Sequence, residues 1–255
     1  SAASDVYKRQ SLLKEKTWVF STWDYTTMYL IEGEDKAVLI DTGTRCADLD
    51  KIVGQITGKP LEVIVTHMHP DHAGCIKYFD KVWMHRADTV LVPQHAADYQ
   101  GEFLYMEEGQ VFDLGGRKLE VAWMPGHTPG SVVLLDKANG DCYSGDAFGS
   151  GEVWLQCVPM SPIATFHESC CRMEKLMKEG HIKDIWCGHY PYLKSSLPLA
   201  YIQTMIRISH RLMNGDQEGS EPYSNYFIKM PPTARKLAEG RAMIVYDSTN
   251  IPEAR

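Results

Sequence analysis

His67-Met68-His69-Pro70-Asp71-His72 places three imidazoles and a carboxylate within six consecutive residues. The stretch follows Leu61-Glu62-Val63-Ile64-Val65-Thr66, an apolar run that reads as a buried strand. An imidazole must be neutral to offer a lone pair, and a bound cation makes that state favourable. So many donors at one strand exit call for a divalent metal.

Other strand exits repeat the pattern. Val121–His127 ends in Gly126-His127, Cys142–Asp146 in Gly145-Asp146, and Ile185–His189 in Gly188-His189. The glycine before each donor lets backbone turn sharply and approach closely. The donors sort into two metal sites. His67 and His69 lie two apart in an extended segment and point the same way, and Pro70 favours that extended shape at His69. With His127 they make a three-nitrogen site. Asp71 and His72, past the proline, join His189 in the second. Asp146 offers two oxygens and spans both. Zinc accepts such nitrogen and oxygen ligands and keeps an open position in catalytic sites. Manganese and iron suit the same donors, so zinc is the first expectation and the others remain open.

Outward from these motifs, the first half reads as strands at 18–20, 27–31 and 37–40, with a hairpin turn at 32–35. A helix over 47–57, the strand 61–66, a short helix at 73–79, a strand at 82–84 and a mixed helical stretch at 87–98 follow. Residues 100–110 are polar and aromatic without a clear period and read as a lid or a surface loop. The second half gives strands at 118–123, 131–135 and 141–144, the last two joined by the turn Asn139-Gly140. Helices over 167–179 and 196–214 flank a strand at 182–187, and 242–246 reads as an added edge strand. Strands followed by helices in each half predict two mixed sheets packed face to face with helices outside, an α/β fold. No linker separates the halves, so residues 17–255 read as one domain. Residues 1–16 read as a leader set apart from it, with 1–10 either a tag-like remnant or a short native arm.

The chain has 255 residues, 44% hydrophobic and 23% charged. That is long enough for a core that needs no disulfide staples. Its seven cysteines are odd in number and show no C-x-x-C pair, which excludes a disulfide framework or a zinc ribbon and suits a cytoplasmic protein. The net charge of −7 comes with no basic block, so no nucleic-acid partner is expected. No apolar run reaches the roughly 20 residues of a spanning helix.

With these motifs together, the chain resembles the metallo-β-lactamase-fold hydrolase superfamily. It carries H-x-H-x-D-H at His67–His72, G-H-T-P-G-S at Gly126–Ser131, S-G-D at Ser144–Asp146, G-H at Gly188–His189 and an early D-T-G at Asp41–Gly43, in the family's order. The resemblance implies an αββα four-layer sandwich with a two-metal site at one edge. Asp146 as bridging ligand is similar to the glyoxalase II-like and lactonase-like branch and less typical of true β-lactamases. His69, where flavo-diiron relatives usually carry Glu, speaks against an oxygen-reducing site.

The expected activity is metal-dependent hydrolysis of a small-molecule ester, thioester or lactone. Two divalent ions about 3.5–4 Å apart can share a water as bridging hydroxide and lower its pKa from 15.7 toward about 7. Asp146 and Asp71 then carry the catalytic roles, Asp71 by stabilising the leaving group through its metal. Alternatives are a β-lactamase, a phosphodiesterase, a persulfide dioxygenase with one iron, and a non-enzymatic binding protein. Asp41 is expected to orient a ligand histidine or to cap its turn. His85 is a minor candidate for the site. His95, His167, His181 and His210 read as solvated or locally paired, Cys75 as packing, and Cys170 and Cys171 as core and surface. Trp154, Met160 and 103–106 read as pocket wall or core, and Tyr190 and Tyr192 as possible donors to a substrate oxygen.

Overall fold

The computed structural model describes residues 11–226 and 228–253. Residue alternation along single strands shows how its layers form. In Thr27–Glu32, Met28 and Leu30 join one buried cluster while Tyr29 and Ile31 join another. Val132 and Leu134 of Val132–Asp136 face that second cluster, and Val133 and Leu135 face a third. Side chains at period two alternate between sheet faces, so strands apolar at every position are covered on both. Three clusters separated by two sheets give helices, sheet, sheet, helices: the αββα sandwich.

The first sheet holds β1 (Ser11–Lys14), β2 (Thr17–Ser21), β3 (Thr27–Glu32), β4 (Ala37–Ile40), β5 (Leu61–Ile64), β6 (Lys81–His85) and β7 (Glu102–Met106), side by side in chain order. It is antiparallel from β1 to β4 and parallel from β4 to β7. The second sheet has the order β13-β11-β10-β9-β8. Its members are β8 (Val111–Asp113), β9 (Lys118–Trp123), β10 (Val132–Asp136), β11 (Asp141–Gly145) and β13 (Asp184–Cys187). Only β11 and β13 run parallel in it.

A third sheet, which the sequence reading did not anticipate, joins β12 (Glu152–Trp154), β16 (Ala242–Asp247), β15 (Ala234–Glu239) and β14 (Glu221–Pro222). The expected edge strand at 242–246 is therefore interior, flanked by β12 and β15.

Helices are α1 (Leu49–Gly54), α2 (Pro70–Ala73), α3 (Val92–His95), α4 (Ile163–Lys178), α5 (Tyr190–Leu193) and α6 (Leu199–Met213). Helix α4 buries Ile163, Phe166, Cys170, Met173 and Met177, the i, i+3, i+4 spacing of one helical face. It packs on α6, and both cover the second and third sheets. It starts earlier than expected because Pro162 sits at its N-cap and the apolar stripe begins at Ile163.

Three further expectations are corrected. Residues 100–110 form no lid: β7 is a sheet strand whose Phe103 and Tyr105 pack on the outer core and whose Met106 faces the inter-sheet core. The helix expected over 73–79 is instead α2 plus a 3₁₀ turn at Ile76–Tyr78. Ser11–Lys14, assigned to the leader, is an edge strand on β2, and Lys14 Nζ bonds buried Asp141 at 2.5 Å. Residues 1–10 lie outside the described residues.

Candidate metal centre

The two sheets meet at one rim. Thr66 O, just past β5, accepts from Val132 N at the start of β10 (2.9 Å), and Gly188 O, past β13, accepts from Thr27 N of β3 (2.7 Å). Tyr29 of β3 donates its hydroxyl to Cys187 O across the layers (2.7 Å). These cross-links bring the strand exits together, and each sequence-predicted donor sits on one. His69 is the N-cap of α2 at φ −68° and ψ 149°, extended as residues before proline are. Asp71 and His72 turn away with the helix.

Two donor groups result, in each of which the donor atoms lie within 4.8 Å of one another. One is His67, His69 and His127; the other is Asp71, His72, Asp146 and His189. Asp146 Oδ2 lies 3.2 Å from His189 Nε2, 3.4 Å from His72 Nε2 and 3.8 Å from His127 Nε2. One carboxylate therefore touches both groups. Asp71 Oδ2 lies 3.4 Å from His72 Nε2 and 3.5 Å from His189 Nε2.

The outer ring nitrogens are fixed by hydrogen bonds. His72 donates from Nδ1 to Asp41 Oδ2 (2.8 Å), and His127 from Nδ1 to the Trp154 carbonyl (2.7 Å). Asp41 also accepts from Thr66 N (2.7 Å) and Thr66 Oγ1 (2.9 Å), leaving that hydroxyl oxygen to accept from His67 Nδ1 at 3.1 Å. Each such bond sets the tautomer and turns Nε2 inward as a lone pair. His67 Nε2, His72 Nε2 and Asp146 Oδ1 are buried without a hydrogen-bond partner. Orphaned buried polar atoms are costly, and such atoms on His67 in one donor group and on His72 and Asp146 in the other fit a divalent-cation site.

Charge separates the two groups. Burial, reinforced by the neighbouring His72, His127 and His69, holds His67 well below the usual imidazole value. Burial, then His127, brings His69 down to about 3. Both are neutral and ready to ligate at pH 7. In the second group burial also disfavours charge, but carboxylates outweigh it. Asp71, Asp146 and Asp41 raise His72, while Asp146 and Asp71 bring His189 up to about 10. The reciprocal pull holds Asp71 and Asp146 well below the ordinary carboxylate range despite their burial. A cation entering this group must displace protons.

Gly188 shows how tightly the rim is packed. A Cβ there would collide with Asp146 Oδ1 and lie 2.7 Å from His72 Cε1. Asp88, missed in the sequence reading, is fully buried and accepts from Met68 N (2.9 Å), Gly130 N (2.6 Å) and Thr128 Oγ1 (3.0 Å). It clamps the His67–His72 segment to the Gly126–Ser131 loop. Its one sequence signal was a carboxylate just after a strand, obscured because 87–98 read as helical. Trp154 acts through its carbonyl, which carries no signal in residue type.

The lesser candidates divide. His95, read as solvated or locally paired, stands with its ring edge-on to that of His69 at 5.9 Å. His85 stacks on Trp123 at 4.9 Å and accepts from Ala87 N. His167 bonds Ser209 and Cys171 on the α4–α6 helix pair, with His210 at 6.0 Å. His181 lies 3.8 Å from Glu179. Cys75 Sγ accepts from Cys46 N, and Cys170 is buried while Cys171 is partly exposed. Tyr190 packs toward Trp186, whereas the Tyr192 ring lies 6.0 Å from that of His189.

A family model described as the metallo-beta-lactamase superfamily matches residues 21–158, more than half of the chain. The chain belongs to the metallo-β-lactamase superfamily. The enzyme class read from its motifs, a metallo-hydrolase, stands with that membership. The chain is 25% identical over 232 residues to human (Homo sapiens) acyl-coenzyme A thioesterase MBLAC2, covering 74% of this chain and 83% of that one. It is 24% identical over 191 residues to the hydroxyacylglutathione hydrolase of Francisella philomiragia, covering 73% of each. Among solved structures, TTHA1623 in a di-iron-bound form superposes with a TM-score of 0.55 at 27% identity, over 69% of this chain and 90% of that one. No helix among the described residues is long and apolar enough to cross a membrane.

Proposed function

We propose that this metallo-β-lactamase superfamily member hydrolyses a small-molecule thioester, ester or lactone at a dinuclear site. The observation that carries this reading is Asp146, whose Oδ2 is shared between the two donor groups. In this reading His67, His69 and His127 would hold one cation, Asp71, His72 and His189 would hold the other, and Asp146 would be shared between them. A pair of divalent cations supplies Lewis acidity and brings the pKa of water down toward about 7.

The chain's own residues do the rest. Asp41, the Trp154 carbonyl and Thr66 hold His72, His127 and His67 in the tautomer that ligates. Asp88 keeps the two loops in register. Asp71 belongs to the second group and is more exposed than His72, where it would help hold a cation whose positive charge would stabilise a departing thiolate or alkoxide. The thioesterase and hydroxyacylglutathione hydrolase names of the relatives favour a thioester over a lactam or a phosphodiester. Zinc is the metal the donors suit first; the di-iron form of TTHA1623 keeps iron beside it, and manganese shares the same chemistry. Metal content separates this reading from a one-iron persulfide dioxygenase, which would hold a single iron per chain. All seven cysteines are unpaired, in keeping with a cytoplasmic enzyme.

Elemental analysis of purified protein, followed by a panel of thioesters, lactones, a cephalosporin and a phosphodiester on the same sample, tests the reading. Thioester or lactone turnover that a chelator removes and metal restores supports it. Turnover confined to the cephalosporin or the phosphodiester, or to none of the panel, overturns it.

A further inference from the structure

Helix α4 carries His167 and Cys171 four residues apart, and residues so spaced are neighbours on one helix face. Cys170 beside them joins the core, whereas Cys171 is partly exposed. Across the helix pair, α6 brings Ser209 and His210 to the same place.

The spacing of the donor atoms suits a metal. Cys171 Sγ lies 3.6 Å from His167 Nε2. A tetrahedral zinc ion, with bonds of about 2.0–2.1 Å to nitrogen and about 2.3 Å to sulfur, holds such a pair about 3.5 Å apart. The tautomer of His167 is set as well. Ser209, fully buried, donates its hydroxyl to Met205 O (2.7 Å). Its oxygen therefore accepts from His167 Nδ1 (2.9 Å), and Nε2 turns a lone pair toward the thiol. Thr66 treats His67 in the same way at the metal centre.

His210 can complete the set. Its ring stands 6.0 Å from that of His167, against 4.7–4.8 Å among the rings of His67, His69 and His127. The residue is exposed, and its Nε2 meets Asn214 Nδ2 at 3.5 Å, longer than a normal hydrogen bond. A small turn of this loosely held side chain closes the gap. Burial, then Glu174 and Glu168, pushes the Cys171 thiol up. The same two carboxylates favour a cation beside it.

We infer that His167, Cys171 and His210 form a separate binding site for a zinc-like divalent cation that braces α4 against α6. Sulfur with two imidazoles selects zinc over magnesium or calcium. As the metal–sulfur bond forms, the thiol proton leaves to solvent. The site would offer three protein donors, against four in each group of the centre when Asp146 is counted in both. It therefore fills last and empties on dialysis. Its place in the fold gives the brace a purpose, because Ser169 of α4 donates to Pro125 O (2.7 Å), two residues before His127. The inference is independent of the substrate and of the hydrolytic reading.

The test titrates metal-free full chain, its thiols kept reduced by a phosphine, with cobalt(II). A cobalt–thiolate bond gives a near-ultraviolet charge-transfer band, and no donor of the centre is a cysteine. Wild type should show that band. Cys171→Ser should lose it and bind one ion fewer at saturation. Even a partner outside the ligand set is worth about 10–100-fold in metal affinity, so His210→Ala should raise the band's half-saturation concentration at least about tenfold. His210 is exposed and Cys171 partly so, and circular dichroism should show both variants folded. No band in wild type, a band that survives in Cys171→Ser, or an unmoved midpoint in His210→Ala overturns the inference.

Discussion

Asp41 Oδ2 accepts a hydrogen bond from His72 Nδ1 at 2.8 Å, and both side chains are buried. The same carboxylate takes the Thr66 N–H and hydroxyl, so one residue orients His72 and, through Thr66, His67. The early D-T-G segment thereby reaches both donor groups. Asp41→Asn tolerates the left-handed backbone (φ 63°) but presents a donor where an acceptor is needed. It should weaken cation binding about 10–100-fold, measured by competition with a chromophoric chelator. Wild-type affinity in this variant would remove Asp41 from the site.

The Gly188 position allows a geometric test. Gly188→Ala puts a methyl group against Asp146 Oδ1 and His72 Cε1 and should displace the second donor group while leaving His67, His69 and His127 in place. Metal content should fall to one ion per chain, with far-ultraviolet circular dichroism preserved. Retention of two ions would show that the rim yields more than its packing implies.

Asp88→Ala strips a buried acceptor from two backbone N–H groups and one hydroxyl. Unsatisfied buried donors cost about 1–3 kcal/mol each. A loss of about 3–5 kcal/mol in urea denaturation is expected, with metal affinity falling because the clamp between the ligand loops is gone. A change under about 1 kcal/mol would mean that water replaces the carboxylate.

The pH dependence of the metal-free protein follows from two opposed shifts. His69 is lowered from 6.5 to about 3. The unfolded chain therefore binds more protons in that window, and its share of stability is lost as pH falls from about 6.5 toward 3. His189 is raised from 6.5 to about 10, and its share is present below 6.5 and lost as pH rises toward 10. Thermal unfolding across pH should peak near 6.5. A monotonic profile from pH 4 to 9 would contradict the assigned charges.

Much of the centre was legible because its chemistry is local. His67–His72 and the Gly-His and Gly-Asp strand exits each announce a donor within a few residues, and the division by Pro70 agrees with the observed grouping. The central strands were legible too, since burial on both faces makes them apolar throughout. What escaped depends on distant partners. β7 mixes aromatics and charge because it is an edge strand, and β12 and β14 are too short to show a period. Asp88 gains its meaning only when Gly130 folds onto it. His95 approaches His69 only through the placement of α3.

The central claim is a pair of cations joined by Asp146. Metal analysis during stepwise reconstitution of metal-free protein, with thioester turnover followed on the same samples, tests it most directly. Activity should rise to a plateau at two ions per chain, and Asp146→Ala should neither retain the pair nor turn over substrate. Full activity at one ion per chain, or a normal rate in Asp146→Ala, would contradict the account.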